Sequence, residues 1–339
     1  MLNILDCTLN ELKEIVTSLG HQSFRAKQIF GWLSKGVESF DEMTNVPAKL
    51  LLALSEKYYI GQPKVVLEQK SSIDDTRKCV YEFLDGSRVE SVFMKYSYGN
   101  SICISSQVGC RMGCSFCAST LNGLARNLTA GEMLGEVLKM RNITCEDIGH
   151  VVIMGMGEPL DNYDEVSKFI KLIHNENGYN LGLRNITIST CGLIPMIERF
   201  GDDFPQVNLA VSLHAPNETI RSKTMPIAKK YGYEDLIKAC KRYTNKTGRR
   251  ITFEYSLING VNDSAENAEE LANVLKGWLT HVNLIPLNKV EERDYETSKR
   301  NNVNRFRQIL EDRGVAVTIR RTLGGDIDAA CGQLRGKTQ

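Results

Sequence analysis

The sequence predicts an α/β protein in which a parallel sheet is covered by helices, with a small helical domain ahead of it and a β-hairpin between the two. Three observations carry this. From about residue 100 onward, apolar strand-like runs alternate with amphipathic helical runs, and repeated strand–helix units imply parallel strands with helices packed over them. Residues 1 to about 60 carry helix starts and stops. In the middle, Asp85-Gly86 separates two strand-like runs, a strong short-range hairpin signal.

The elements follow in order. Thr8 and Glu11 form a capping box before "LKEIVTSL", Gly20 stops that helix, and "FRAKQIFGWLSKG" ends at Gly36. Residues 1–60 are therefore read as a small helical domain, 61–96 as a linker and hairpin ("TRKCVYEFL" and "SRVESVFMKY"), and 97–339 as the main body. The candidate strands of that body are "SICISS", "HVVIMG", "NITIST", "VNLAVSL", "RITFEYSL", "HVNLIPL" and "VAVTIRR". Helical runs such as "TAGEMLGEVLKMR", with Thr129 and Glu132 as a cap, and "NVNRFRQILEDRG", stopped by Gly314, lie between them. About six such units fit an open doubly wound sheet or an incomplete (β/α) barrel, and spacing does not choose between them.

Composition limits the partners. The chain has 339 residues, 42% of them hydrophobic, enough for a sizeable core. Its 42 Lys and Arg against 41 Asp and Glu leave a formal charge of +1. Any nucleic acid must then be met by a local basic patch rather than a global field. The start, "MLNILDCTLNELKEIV", is broken by Asp6, Glu11 and Glu14, which suits neither a signal peptide nor a membrane helix. No membrane partner is expected, and the protein reads as cytoplasmic. Ten cysteines without a framework pattern then read as reduced thiols, some of them ligands or nucleophiles.

Polar residues follow the carboxyl ends of the candidate strands: Glu158, Ser189 with Thr190, Ser212 with His214, and Asn288. That end of a parallel sheet is where ligands bind. "CRMGCSFC" lies in the loop after "SICISS" and places Cys110, Cys114 and Cys117 within eight residues. Two short spacings in one loop argue against scattered structural thiols, and sulfur donors select zinc or iron–sulfur. Zinc wants a fourth protein ligand, and none of the five histidines is near the trio in sequence. A [4Fe-4S] cluster held by three thiolates leaves one iron open.

The C-x3-C-x2-C spacing, with Phe116 before the last cysteine, resembles the motif of the radical S-adenosylmethionine (SAM) enzymes. That resemblance implies a [4Fe-4S] cluster, SAM chelated at the open iron and split to a 5′-deoxyadenosyl radical, and a partial (β/α)6 radical-SAM barrel. "GMGEPL" lacks the third glycine of a dinucleotide fingerprint. It is similar to the superfamily's turn that meets the SAM amino group, which gives Gly157 and Glu158 that role.

"ISSQVGCRMGCSFCAST", "MGMGEPLDNYDEV", "ITISTCGLIP", "SLHAPNETIRSKTMPI" and the tail's "ACGQL" agree in order over nearly the whole chain. Together they resemble the RlmN/Cfr family of RNA adenine methyltransferases. The resemblance implies that one SAM methylates Cys331 and a second yields the radical that activates the S-methyl group, two SAM per turnover. The methylene adds to an adenine carbon, Glu90 accepts a proton, and Cys103 frees the base by a transient disulfide with Cys331. Taken from the residues alone, Glu90 between Val89 and Val92 would be a solvated strand face, Cys103 a core cysteine, and Cys331 a mild hydrophobe. By the same resemblance, SAM contacts fall on Gly157, Glu158, Ser189, the Ser212–Leu213–His214 turn and Asn288. Met154 and Met156 could pack on its adenine or in the core, and His214 could equally cap the next segment. Cys7, Cys79, Cys145, Cys191 and Cys240 are read as structural.

The implied partners are 23S rRNA and tRNA, with a flavodoxin or ferredoxin as electron donor, and the protein is expected to be a monomer. By that resemblance, the housekeeping branch acts on carbon 2 of adenine 2503 in 23S rRNA and, in some members, of adenine 37 in tRNA; the resistance branch acts on carbon 8 of the same ribosomal base. "STCGLIP" and "QVGCRMGC" are closer to the housekeeping branch. The alternative of another class is a zinc-dependent RNA-binding module without catalysis. For RNA contact, residues 229–250 carry eight Lys or Arg against two acids, either a phosphate-binding patch or a solvated helix face. Arg25 and Lys27 are further candidates.

Overall fold

The computed structural model describes residues 1–335. Three helices open the chain, α1 (Leu9–Ser18), α2 (Phe24–Ser34) and α3 (Ala48–Ser55). Thr8 and Glu11 close the expected capping box. These helices bury Leu12, Ile29 and Leu50 in the same apolar core as the sheet, beside Ile4 of the turn that precedes them. That turn, Ile4–Asp6, lies against the first barrel helix at a glycine: a Cβ at Gly131 would stand 2.6 Å from the amide of Asp6.

Among the described residues the main sheet has ten strands, paired in chain order from end to end. They are β1 (Lys64–Lys70), β2 (Arg77–Glu82), β3 (Arg88–Tyr96), β4 (Gly99–Ile104), β5 (His150–Ile153), β6 (Ile186–Thr190), β7 (Asn208–Ser212), β8 (Ile251–Leu257), β9 (Thr280–Pro286) and β10 (Val317–Ile319). β1 to β4 form an antiparallel meander. From β4 to β10 every pair is parallel. A doubly wound sheet would reverse strand order at a switch point. This order never reverses, and β1 and β10 remain unpaired ends, so the architecture is a partial barrel.

Six crossovers link the seven parallel strands. They run through α4 (Ala130–Thr144), α5 (Tyr163–His174), α6 (Ile194–Asp203), α7 (Glu218–Thr224) with α8 (Tyr233–Thr247), α9 (Ala265–Leu275) and α10 (Arg300–Asp312). Thr129 and Glu132 cap α4 as the sequence predicts. Each helix lays an apolar stripe on the sheet, and Val151, Ile188, Leu209, Phe253 and Val282 are buried beneath them.

The expected hairpin forms as β2 and β3, and "KVVLEQK" adds a further strand, β1, beside it. β3 pairs with β4 over Val92↔Cys103 and Met94↔Ser101, so the hairpin bridges to the main body by continuing the barrel sheet. No helix among the described residues is long and apolar enough to cross a membrane.

Candidate active site

The carboxyl ends of the parallel strands open on one cavity. Its walls include Cys110, Cys114, Cys117, Gly157, Glu158, Ser189, Ser212, His214, Asn288 and Cys331. Ten of the thirteen residues predicted for the site therefore share one space. Glu90, Cys103 and Leu213 do not line it.

The cysteine loop is held by its backbone. The Cys110 amide donates to the Gly123 carbonyl at 2.9 Å, and the Thr120 hydroxyl donates to the Cys114 and Cys117 carbonyls at 3.1 and 2.9 Å. Gly113, at φ 71°, makes the tight turn between the first two cysteines. Burial pushes the Cys110 thiol up to about 12, and burial also raises Cys114 and Cys117. Cys117 disfavours the Cys110 thiolate, and Cys117 and Cys110 that of Cys114, a cost that bound iron would offset by its own charge. Three sulfurs on one wall facing open space fit a cluster ligated through three thiolates. Among the described residues no three His, Cys, Asp or Glu side chains converge tightly enough for a single metal ion; in a cubane cluster each thiolate meets a different iron.

Opposite lies the turn after β5. Glu158 is buried, and its two oxygens accept the Leu160 amide at 3.1 Å and the Cys191 amide at 2.7 Å. Its own amide donates to Gln107 Oε1 at 2.9 Å. Burial raises its carboxyl pKa. Gly157 sits at φ 105°, and a Cβ there would lie 2.6 Å from the Gln107 Cβ, so only glycine suits the turn. Met154 lines the cavity, whereas Met156 is packed in the core.

Ser189 and Ser212 leave β6 and β7 with their hydroxyls 3.4 Å apart. His214, at φ 52°, accepts the Ser256 amide on Nδ1 at 2.9 Å, which assigns its proton to Nε2. Burial lowers its pKa to about 3, so the ring is neutral. It does not cap α7; Asn217 does, accepting the Ile220 amide. Leu213 is wholly buried and does not line the cavity. Its carbonyl accepts Arg221 Nη1 at 2.6 Å, alongside the Ser212 carbonyl at 2.8 Å, while Nη2 reaches the Cys191 carbonyl at 2.5 Å. Arg221 thus ties two strand ends together. Sequence reading gives Arg221 no role, because a guanidinium that acts through backbone carbonyls leaves no residue pattern.

The tail crosses the mouth of the barrel. Asn288 Nδ2 donates to the Cys331 carbonyl at 3.2 Å. The Gly332 carbonyl accepts the Ala118 amide at 2.8 Å, and the Leu334 carbonyl accepts the Ser119 hydroxyl at 2.7 Å. The Arg335 amide donates to Glu90 Oε1 at 3.1 Å. Glu90 is only 2% exposed, paired with Lys78 at 3.5 Å; the solvated-face reading fails because the tail covers that face. Cys103 is buried in β4, and burial raises its thiol to about 12, with the nearby Cys331 sulfur adding to the shift. Every cysteine among the described residues is a free thiol. Arg320 and Glu254, which sequence reading missed, also line the cavity, 3.8 Å apart.

The basic stretch 229–250 reads differently in three dimensions. Lys238 pairs with Glu234 and Asp235, Arg242 with Glu198, and Lys246 with Asp202. These side chains belong to a solvated, ion-paired face of α8.

Relatives agree with this geometry. Residues 104–272 match the radical SAM superfamily model, and residues 2–60 match the ribosomal RNA large subunit methyltransferase N-terminal domain. A probable dual-specificity RNA methyltransferase RlmN of Clostridium novyi is 53% identical over 336 residues, covering 99% of this chain and 98% of that protein. The Clostridium tetani counterpart is 51% identical over 335 residues, 99% of this chain and 96% of its own. The chain belongs to the RlmN family of radical-SAM methyltransferases. A solved radical SAM methyltransferase from Sphaerobacter thermophilus superposes with a TM-score of 0.96 at 44% identity, over 99% of this chain and 100% of that one. As an RlmN-family enzyme the protein uses a [4Fe-4S] cluster and SAM, which removes the zinc-module alternative.

Proposed function

We propose that this enzyme methylates carbon 2 of adenine 2503 in 23S rRNA and of adenine 37 in tRNA, with Cys331 as the carrier of the methyl group. The observation that carries this is the tail, which puts Cys331 in the cavity of the three loop cysteines and within electrostatic reach of Cys103. Adenine carbons 2 and 8 are electron-poor amidine carbons with no lone pair to attack a sulfonium, so a radical carbon must be delivered to them. The cluster and its bound SAM, when present, supply a radical able to abstract hydrogen from a methyl group.

The chain's own residues do the rest. Cys110, Cys114 and Cys117 hold the cluster, and the Gly157–Glu158 turn, Ser189, Ser212, His214 and Asn288 receive SAM. Cys331 takes a methyl group on sulfur, and its methylene is joined to the adenine carbon. Glu90 accepts the proton from that carbon, and the one electron that must leave the adduct with it would return to the cluster. The Cys103 sulfur then attacks the Cys331 sulfur: an S–S bond forms, the S–CH2 bond breaks, and the released methylene is protonated to methyl. A reductant resets the pair. The helical residues 1–60 and the meander of 61–96 flank the body formed by 97–339, and the first of these bears on RNA through Arg25 and Lys27. The enzyme works as a cytoplasmic monomer with a flavodoxin or ferredoxin donor.

Digestion of 23S rRNA after reaction with the reconstituted enzyme tests this reading. It expects 2-methyladenosine; 8-methyladenosine would move the enzyme to the resistance branch, and unmodified adenosine would reject both.

A further inference from the structure

We infer that Lys78 is the positioning residue for the Glu90 carboxylate and ties that carboxylate to the segment that carries Cys331. The inference rests on the reading of Glu90 as proton acceptor. Strand register supplies the first argument. Lys78 pairs with Val92 and Val80 with Glu90 across β2 and β3, so Lys78 and Glu90 are diagonal neighbours on one face, within reach of long side chains. Val92 pairs in turn with Cys103 on β4. Opposed residues share a face, which places Lys78, Glu90 and Cys103 together on the side of the sheet that the tail covers.

Burial supplies the second. Glu90 is 2% exposed and Lys78 7%, and a charge removed from water to that degree requires a counter-charge and hydrogen bonds. Lys78 Nζ stands 3.5 Å from Glu90 Oε2. The same ammonium donates to the Asp328 carbonyl at 3.3 Å, three residues before Cys331. One cation therefore touches both the proton acceptor and the tail. The Arg335 amide holds the other Glu90 oxygen, so the carboxylate is gripped from the sheet on one side and from the tail on the other.

Without Lys78, the Glu90 carboxylate loses its sheet-side partner and is misplaced when the adenine adduct must lose its proton. Adduct on Cys331 should then persist while release slows. The test uses the full-length reconstituted enzyme with SAM and an rRNA fragment, and reads the ratio of denaturant-stable protein–RNA adduct to released methylated RNA. Lys78→Met is expected to raise that ratio by about tenfold to a hundredfold, and Lys78→Arg, which keeps the charge, to bring it back toward the parent enzyme. A parent-like ratio in Lys78→Met would overturn the inference. So would loss of both adduct and product in Lys78→Met and in Lys78→Gln, which would leave Lys78 a role in folding only. Glu90→Gln is run beside them: if it builds up no adduct, the reading of Glu90 itself fails, whatever Lys78 does.

Discussion

The amide of Arg335 donates to the carboxylate of Glu90 at 3.1 Å, across 245 residues of chain. The same arginine's Nη1 meets both oxygens of Glu292 at 2.6 and 2.7 Å. The segment after Cys331 is thus clasped between the meander and the loop that follows β9. Glu292→Gln removes one jaw. An ion pair with these partly exposed side chains is worth about 0.2–1 kcal/mol, so cleavage by trypsin after Arg335 should quicken by roughly twofold to fivefold, read by mass spectrometry over a time course. An unchanged rate would show that the clasp does not hold the tail.

Gly157→Ala tests the turn opposite the cysteine loop. The added methyl would fall 2.6 Å from the Gln107 Cβ and 2.8 Å from its amide nitrogen, at a φ of 105°. Overpacking of that kind costs about 1–3 kcal/mol. SAM affinity should drop by at least about tenfold, measured by calorimetry on the reconstituted protein beside a thermal melt. Parent-like affinity would remove the turn from the SAM site.

Arg221→Met isolates the buried guanidinium. It satisfies the Ser212, Leu213 and Cys191 carbonyls, and leaving buried acceptors unpaired costs about 1–3 kcal/mol each. Denaturant unfolding should show a loss of roughly 3–5 kcal/mol. A loss below about 1 kcal/mol would mean that the strand ends hold without it.

On the proposed mechanism, Cys331 and Cys103 should fail at different stages. Cys331→Ala is expected to give neither adduct nor product, because the proposed carrier is gone. Cys103→Ala should form the Cys331–RNA adduct and stall there, visible as a slow-migrating band on a denaturing gel. Efficient product release from Cys103→Ala would reject the disulfide step.

Much of this was legible in the sequence. Period and cap residues located helices in both regions, since Thr8 with Glu11 ahead of α1 and Thr129 with Glu132 ahead of α4 act within one turn of chain. Most cavity residues were legible because they sit at or just past a strand's carboxyl end, as Glu158, Ser189 and Ser212 do; Cys331, in the tail, was legible only through the resemblance of "ACGQL". What failed depends on distant partners. Glu90 looked solvated because the chain that buries it begins 245 residues later. "KVVLEQK" was missed because β1 is an edge strand with half-exposed faces, rich in Lys, Glu and Gln, which blurs the alternation that marks a strand. The run at 229–250 left a phosphate patch and a solvated face open, because the pairing of Arg242 with Glu198 and of Lys246 with Asp202, on neighbouring α6, is tertiary. Strand order, which decides between a barrel and a doubly wound sheet, is a tertiary property that spacing does not encode.

The central claim is that the new methyl group passes through Cys331 as a methylene. SAM deuterated in its methyl group tests it in one mass spectrum of the digested RNA. The account predicts 2-methyladenosine that keeps two of the three deuterons, because one is abstracted from the S-methyl group before the carbon reaches the base. A product that keeps all three would show direct transfer and contradict it.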